Sequence, residues 1–416
     1  MTAVLVVALV ALAYALIATR LDRWSIGAPL VFMATGALAV VVVHDGAPSA
    51  HNHGIQLVTE ATLALVLFAD ASTVRLHQLG HDVGLPLRLL GIGLPLTFIL
   101  GTVAGDLLLG AETWAAAALL AAILTPTDAA LSLPVVTNPA VPSRVRRMLN
   151  VESGLNDGIV TPVVTVLLAV VAAEEELQAG WVTAAVREVG VAIVVAILVG
   201  GCGGLLLRVS DARGWTSELS VELAVLALAA LSYVGAVWSG GNGFVAAFAA
   251  GLFFAAASGG GFRRATGFTE TIGVFLSFAV WAMFGAAFVE PVLRETWDWR
   301  VAGYALLSLT IVRMAPVAIA LVGTRLLPGT VAFTGWFGPR GLASVVFLTM
   351  AVDELGLGIG SVLVRTATLT IAASVVLHGL TARPLVTRYA ANLARHPDAP
   401  ELRPGPEPHM RRRLLT

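Results

Sequence analysis

The sequence predicts an all-α polytopic membrane protein, and three observations predict it. Of its 416 residues, 57% are hydrophobic and only 12% are charged, about half the share near 25% that a water-facing globular surface carries. The mean hydropathy is +0.88. Apolar runs of about 20 residues, the length a helix needs to cross a bilayer core, recur from one end to the other. The connections between them leave no room for a soluble catalytic domain. A net charge of −1 offers nothing to nucleic acid. The single cysteine, Cys202, excludes an internal disulfide or a Cys-based metal cluster, and no cofactor is expected.

Hydropathy and breaker residues divide the chain into about thirteen spans. The first, 2–19, has no basic n-region and meets its first Arg only after the apolar run, which separates it from a signal peptide. Spans at 25–43, 55–75 and 85–109 follow. The fifth, 113–136, is interrupted by Pro126 and Pro134, and the sixth, 145–172, opens polar and closes on an apolar run to Ala173. The seventh, 181–207, holds the Gly-Gly-Cys-Gly-Gly run around Cys202. Next come 218–238, 242–257 and 269–289. Span eleven, 301–323, carries Arg313 beside Pro316; span twelve, 330–351, carries Gly338-Pro339; span thirteen is 359–382. The transmembrane domain is therefore expected over 1–383, followed by a short, basic, disordered cytoplasmic tail at 384–416 that touches anionic lipid.

Arginine placement gives the orientation. With the N-terminus outside, the cytoplasmic connections hold Arg20, Arg23, Arg75, Arg88, Arg144, Arg146, Arg147, Arg208, Arg213, Arg263, Arg264 and Arg325. The tail adds Arg383, Arg388, Arg395, Arg403 and Arg411 to Arg413, whereas the outer side has Arg294 and Arg300, with Arg187 near a helix entry. The asymmetry fits an odd number of spans and a cytoplasmic C-terminus, in a multi-pass protein of the plasma membrane.

Ionisable groups inside spans cost about 2.5–3.5 kcal/mol each on insertion scales and mark pathways by default. Asp70, in Phe68-Ala69-Asp70-Ala71-Ser72, either snorkels towards Arg75 or faces a polar cavity. Thr125-Pro126-Thr127-Asp128 in span five has the pattern of a discontinuous helix, with an ordinary proline kink as the other reading. In span six, Glu152-Ser153-Gly154-Leu155-Asn156-Asp157 puts Ser153 and Asp157 on one helical face and Glu152 and Asn156 on the next. In span twelve, Gly338-Pro339-Arg340-Gly341 breaks the helix and leaves a guanidinium that needs an acidic partner such as Glu152. Arg313 is a second intramembrane cation; Arg365, near an end, snorkels. Spans five and twelve lie seven apart, so with span seven as linker, spans 1–6 and 8–13 form two inverted six-helix units with paired breaks. Such breaks are a pointer to a transport site.

These residues resemble the sodium/proton exchanger branch of the monovalent cation:proton antiporters, in order and over essentially the whole membrane domain. The Asn156-Asp157 pair is the most specific element of the likeness. The resemblance implies thirteen helices in inverted repeats, a moving six-helix core, a dimerisation domain and a homodimer, with Na+ and H+ as substrates. It implies that Asp157 binds the cation or the proton, with Ser153, Asp70 and the backbone of Thr127 completing the site. Asp128 would balance the broken helix ends, and Glu152, Asn156 and Arg340 would form a structural network. The sequence departs from the commonest pattern at Ala129, where many relatives have Pro. The Asn-Asp pair, in place of two aspartates, resembles the electroneutral branch.

A Walker-type loop is absent, so ATP-driven pumping has no support, and His-Glu-x-x-His is absent as well. Potassium/proton or broader monovalent exchange is the alternative within transport. An intramembrane aspartyl protease would also carry two membrane aspartates, but its Gly-x-Gly-Asp signature is missing. A channel and a non-transporting sensor are further alternatives, the latter weakened by the short tail. His77 and His81 are read either as pH-tuning groups or as solvated loop residues; His44, His51 and His53 are read as outer-side residues with or without a weak metal patch.

Overall fold

A computed structural model describes residues 2–43, 53–73, 84–110, 113–174 and 181–402, and no strand occurs among them. The chain opens with α1 (Thr2–Arg23), α2 (Ala28–Val43) and α3 (His53–Thr73). The fourth span is α4 (Gly84–Arg88) and α5 (Leu94–Leu109), joined without a stop by a π turn over Leu89–Gly93. It ends at Gly110, whose φ of +59° places it in the left-handed region that closes helices at little cost only for glycine. The fifth is broken as the prolines foretell: α6 (Trp114–Leu124) stops in mid-span and α7 (Leu133–Val136) resumes after eight non-helical residues. Thr113 starts α6 by accepting the Ala116 N–H at 3.1 Å.

The sixth span is one long helix, α8 (Ser143–Glu174). A second π turn, Ile197–Cys202, joins α9 (Trp181–Ala196) to α10 (Gly203–Ala212). Then come α11 (Glu218–Trp238), α12 (Gly243–Ser258) and α13 (Arg263–Phe284), the last running through the π turn Gly285–Val289 into α14 (Glu290–Arg294). Span eleven is α15 (Trp299–Leu309) and α16 (Ile311–Ala320), interrupted at Thr310 with φ −113° and ψ −94°, a kink that Pro316 alone did not indicate. Span twelve is broken between α17 (Pro328–Trp336) and α18 (Leu342–Glu354). The last helix, α19 (Val362–Leu393), crosses the boundary expected at Pro384. Val386, Tyr389 and Leu393 of that extension are buried in an apolar cluster, and their burial carries the helix past the proline.

A helix thus occupies each of the thirteen expected spans. Among the described residues eight helices are long and apolar enough to cross a membrane, and shorter apolar stretches are Leu5–Leu21 within α1, Ala28–Val42, Trp114–Leu124 and Gly243–Ser258. Side chains such as Leu16, Leu107 and Trp238 are 77%, 79% and 89% exposed. Water tolerates single exposed hydrophobics, but a surface made of them suits lipid.

The chain forms two compact units, and the division falls inside α3, α8 and α13. The first draws on Met1–Gln56, Asp82–Asn156 and Phe278–Thr416. In it α5 packs on α6, α15 on α19, and α6 on both α18 and α19. Gly285 lets α2 approach closely, because a Cβ there would strike the Met33 carbonyl; Phe32 and Phe278 stack with ring centres 4.4 Å apart. The second unit draws on Leu57–His81 and Asp157–Ser277. There α12 packs against α9, α10 and α11, and Gly251 admits the Phe68 backbone.

Candidate functional site

The breaks of spans five and twelve meet in the first unit. Asp128, in the span-five break, donates its N–H to the Pro339 carbonyl in the span-twelve break at 2.8 Å. Its Oδ1 accepts from Ala130 N at 2.6 Å, and its Oδ2 accepts from Leu342 N, the first residue of α18, at 3.0 Å. Gly341 has to be glycine for this, since a Cβ would run into the Asp128 side chain. The carboxylate therefore sits at the helix end where unpaired N–H groups leave partial positive charge.

Arg340 does the converse. Its Nη1 donates to the carbonyl of Thr125, the C-cap of α6, at 2.8 Å, and its Nη2 to the Ser308 carbonyl at 3.2 Å. A cation thus rests on the partially negative end of the other broken helix. Its N–H donates to Ser374 Oγ at 2.7 Å. The expected pairing of Arg340 with Glu152 is corrected: Glu152 Oε1 instead lies 2.6 Å from Arg313 Nη1, both side chains no more than 2% exposed. A fully buried guanidinium can be satisfied by carbonyls, and Arg340 already has two; the remaining buried carboxylate takes the other arginine.

The helix that carries Glu152 also supplies polar groups to the span-five break. Ser153 Oγ and Thr127 Oγ1 lie 3.1 Å apart, and Asn156 Nδ2 donates to Thr127 Oγ1 at 2.7 Å. All three side chains are buried. Asn156 thus contacts the break and not an ion pair. Asp157, 8% exposed, follows Ser153 by four residues on α8, hence one turn along the same face. Its carbonyl accepts from Thr161 Oγ1 at 2.7 Å, one residue before Pro162 interrupts the ladder. Asp70 is half-buried near the end of α3, where its carbonyl accepts from Thr73 Oγ1 at 2.8 Å. Asp70 and Asp157 belong to the second unit, and Thr127, Asp128, Glu152, Ser153, Asn156, Arg313 and Arg340 to the first.

Among the described residues no three His, Cys, Asp or Glu side chains gather in a way that could hold a metal. The candidate donors are hydroxyl, carbonyl and carboxylate oxygens, which suit a hard alkali cation (by extension of). His53 is exposed at the start of α3; His44, His51, His77, His81 and Arg75 lie outside the described residues. Arg365 reaches the Thr296 carbonyl at its helix end.

Sequence reasoning missed two groups. His378 on α19 donates from Nε2 to the carbonyl of Trp336, the last residue of α17, at 2.8 Å, and its Nδ1 lies 3.1 Å from Ser374 Oγ. The spacing Ser374, His378, Thr381 is i, i+4, i+7 on one face, and Thr381 Oγ1 accepts from Trp336 Nε1 at 3.0 Å. In the second unit, Tyr233 donates to Glu60 Oε2 at 2.7 Å. Glu60, a carboxylate within an apolar run, was the available signal.

The profile described as sodium/hydrogen exchanger, transmembrane, matches residues 5–388. The Na(+)/H(+) antiporter of Saccharomyces cerevisiae is 24% identical over 318 residues, 72% of this chain and 32% of that protein, so the chain spans about a third of that relative's length. Among solved structures, the sodium proton antiporter MjNhaP1 from Methanocaldococcus jannaschii at pH 8 superposes with a TM-score of 0.75 at 18% identity, over 94% of this chain and 99% of that one. A structure of the same antiporter from an electron-microscopy map gives 0.71 at 17% identity, over 93% and 97%. At these identities the structural likeness is one of fold.

Proposed function

The chain belongs to the sodium/hydrogen exchanger family, and on that footing we propose that it is a secondary antiporter exchanging Na+ or Li+ for H+, one for one. The observation that carries the reading is the meeting of two broken helices whose ends are neutralised by Asp128 and Arg340, beside the Thr127–Ser153–Asn156 cluster. Broken helices at membrane depth occur where backbone lines a site. Here the helix ends are already balanced, which leaves the next carboxylate of α8, Asp157, to the substrate.

The chemistry is one group with two competing ligands. Asp157 takes a cation, with Ser153, Asp70 and the Thr127 backbone as further oxygen donors, or it takes a proton. An empty, charged carboxylate is costly to carry across the low-dielectric barrier, so each transit carries Na+ or H+, and exchange is obligatory without ATP. Asp128, Arg340, Asn156 and the Glu152–Arg313 pair keep the frame fixed while the charge at Asp157 changes. The access change is movement of a helix bundle about this site. The same reading places a homodimer in the plasma membrane with its N-terminus outside, as the arginine distribution supports.

Proton-gradient-driven exchange in proteoliposomes tests it, with Na+, Li+ and K+ titrated separately, with and without a membrane potential. Saturable exchange with Na+ or Li+, independent of potential, is expected. Exchange with K+ as the best substrate would replace sodium by potassium, a strong dependence on potential would overturn one-for-one coupling, and uncoupled, non-saturating flux would overturn antiport.

A further inference from the structure

Beyond Pro384 the chain is polar, proline-bearing and basic, the composition of a loose tail, yet the segment after α19 is anchored. His396 N donates to Leu393 O, Ala399 N to His396 O and Leu402 N to Ala399 O, at 2.9, 3.1 and 3.0 Å. These turns return the chain to the first unit. Ala399 is buried in the apolar cluster that includes Val141, Val145, Phe333 and Tyr389. Arg144, in the first turn of α8, donates from Nη1 to the Pro400 carbonyl at 3.1 Å. Glu401 is 1% exposed, and its Oε1 accepts the Leu327 N–H at 2.7 Å.

Leu327 is the N-cap residue of α17 and has no side-chain oxygen to cap it. The helix N-terminus leaves unpaired donors and partial positive charge; Glu401 supplies both the acceptor and the negative charge. The same end is held at Thr330, whose hydroxyl lies 3.1 Å from that of Tyr389. At nine residues, α17 is a rod of about 13 Å with Glu401 at one end and the Phe337–Gly341 break at the other. Arg144 stands nine residues before Ser153 on α8. One short segment therefore ties together the start of α17, which leads into the span-twelve break, and the start of α8, which carries Ser153 to the span-five break.

We propose that residues 394–402 are a positioning strap for the exchange site, with Glu401 as the residue that holds α17 and hence the break in register. The proposal rests on the antiport reading above. A hydrogen bond to a charged group contributes about 1.5–3 kcal/mol, which corresponds to a change of roughly 10- to 100-fold in a local opening equilibrium.

The test uses the full chain in proteoliposomes and detergent, with Glu401→Ala, Glu401→Gln and Glu401→Asp. Expected for Glu401→Ala is amide exchange roughly 10- to 100-fold faster at the start of α17, with the Na+ concentration for half-maximal exchange raised several-fold. Glu401→Gln keeps an acceptor oxygen but not the charge and should restore part of both. Should Glu401→Ala not be recovered folded, Glu401→Asp, which withdraws the carboxylate by one methylene, must show the same two changes in smaller degree. Faster amide exchange with unchanged Na+ dependence, or neither change, overturns the strap while leaving antiport intact. A wild-type protein without exchange overturns the antiport reading and the strap with it.

Discussion

The buried pair Glu152–Arg313 allows a quantitative test of what frames the site. With Oε1 and Nη1 2.6 Å apart and both side chains shielded from solvent, removing either partner strands a charge. Breaking such a pair costs about 3–5 kcal/mol, whereas replacing both partners by apolar residues of similar size is often neutral or stabilising. Unfolding entropy of roughly 2.1 cal/mol/K per residue makes 1 kcal/mol worth about 1 °C in a chain of 416 residues. Arg313→Leu and Glu152→Leu should therefore each lower Tm by roughly 3–6 °C, read by fluorescence-detected thermal melting in detergent. The double substitution should recover most of that loss and keep Na+-dependent exchange well above background. Two single losses that simply add would refute the pairing, and a stable double variant devoid of exchange would refute the purely structural role given to it.

Three further outcomes follow from the geometry. His378→Ala removes one of the two donors to the Trp336 carbonyl, which keeps the Gly338 N–H, and losing that bond costs about 0.5–1.5 kcal/mol; His378→Gln, which retains an N–H donor, should restore much of the thermal stability, and equal losses would show that the bond does not matter. Gly341→Ala forces a methyl into Asp128, so a loss of about 1–3 kcal/mol from overpacking is expected in the same melting assay, and an unchanged Tm would contradict the close crossing of the breaks. Asp298 caps α15, and the Arg300 N–H and guanidinium beside it hold its carboxyl below the usual carboxylate range. A lowered carboxylate stabilises above its unfolded pKa and is lost only as pH falls through the folded one. Asp298→Ala should therefore speed amide exchange at the start of α15 equally at pH 6 and pH 8. The difference from wild type should narrow only in acid below about pH 4, and its disappearance by pH 6 would refute the assignment.

How much of this was legible beforehand depends on whether the cause is local. The spans are local: a bilayer length of apolar residues ended by Gly, Pro or Arg locates each helix, and Pro126 and Gly338-Pro339 announce both breaks. Partners far along the chain are not local. Asp128 to Leu342 and Arg340 to Thr125 join positions more than 200 residues apart, and charge alone made Glu152 as good a partner for Arg340 as for Arg313. The break carbonyls, invisible in a sequence of side chains, decided that choice. His378 looked like an isolated histidine because its partner is a backbone group freed by a break elsewhere. The extension of α19 past Pro384 was hidden for a related reason: a proline removes one ladder bond, and packing of Val386, Tyr389 and Leu393 outweighs it.

The competition at Asp157 can be observed without transport. Purified protein in weakly buffered detergent solution, given NaCl against an equal ionic strength of choline chloride, should release protons, up to about half a proton per protomer at the pH where the single site is half-protonated. Asp157→Asn, shown to be folded by its melting curve, should release none. Proton release that persists in that variant, or a wild type that binds Na+ without releasing protons, would contradict the shared carboxylate.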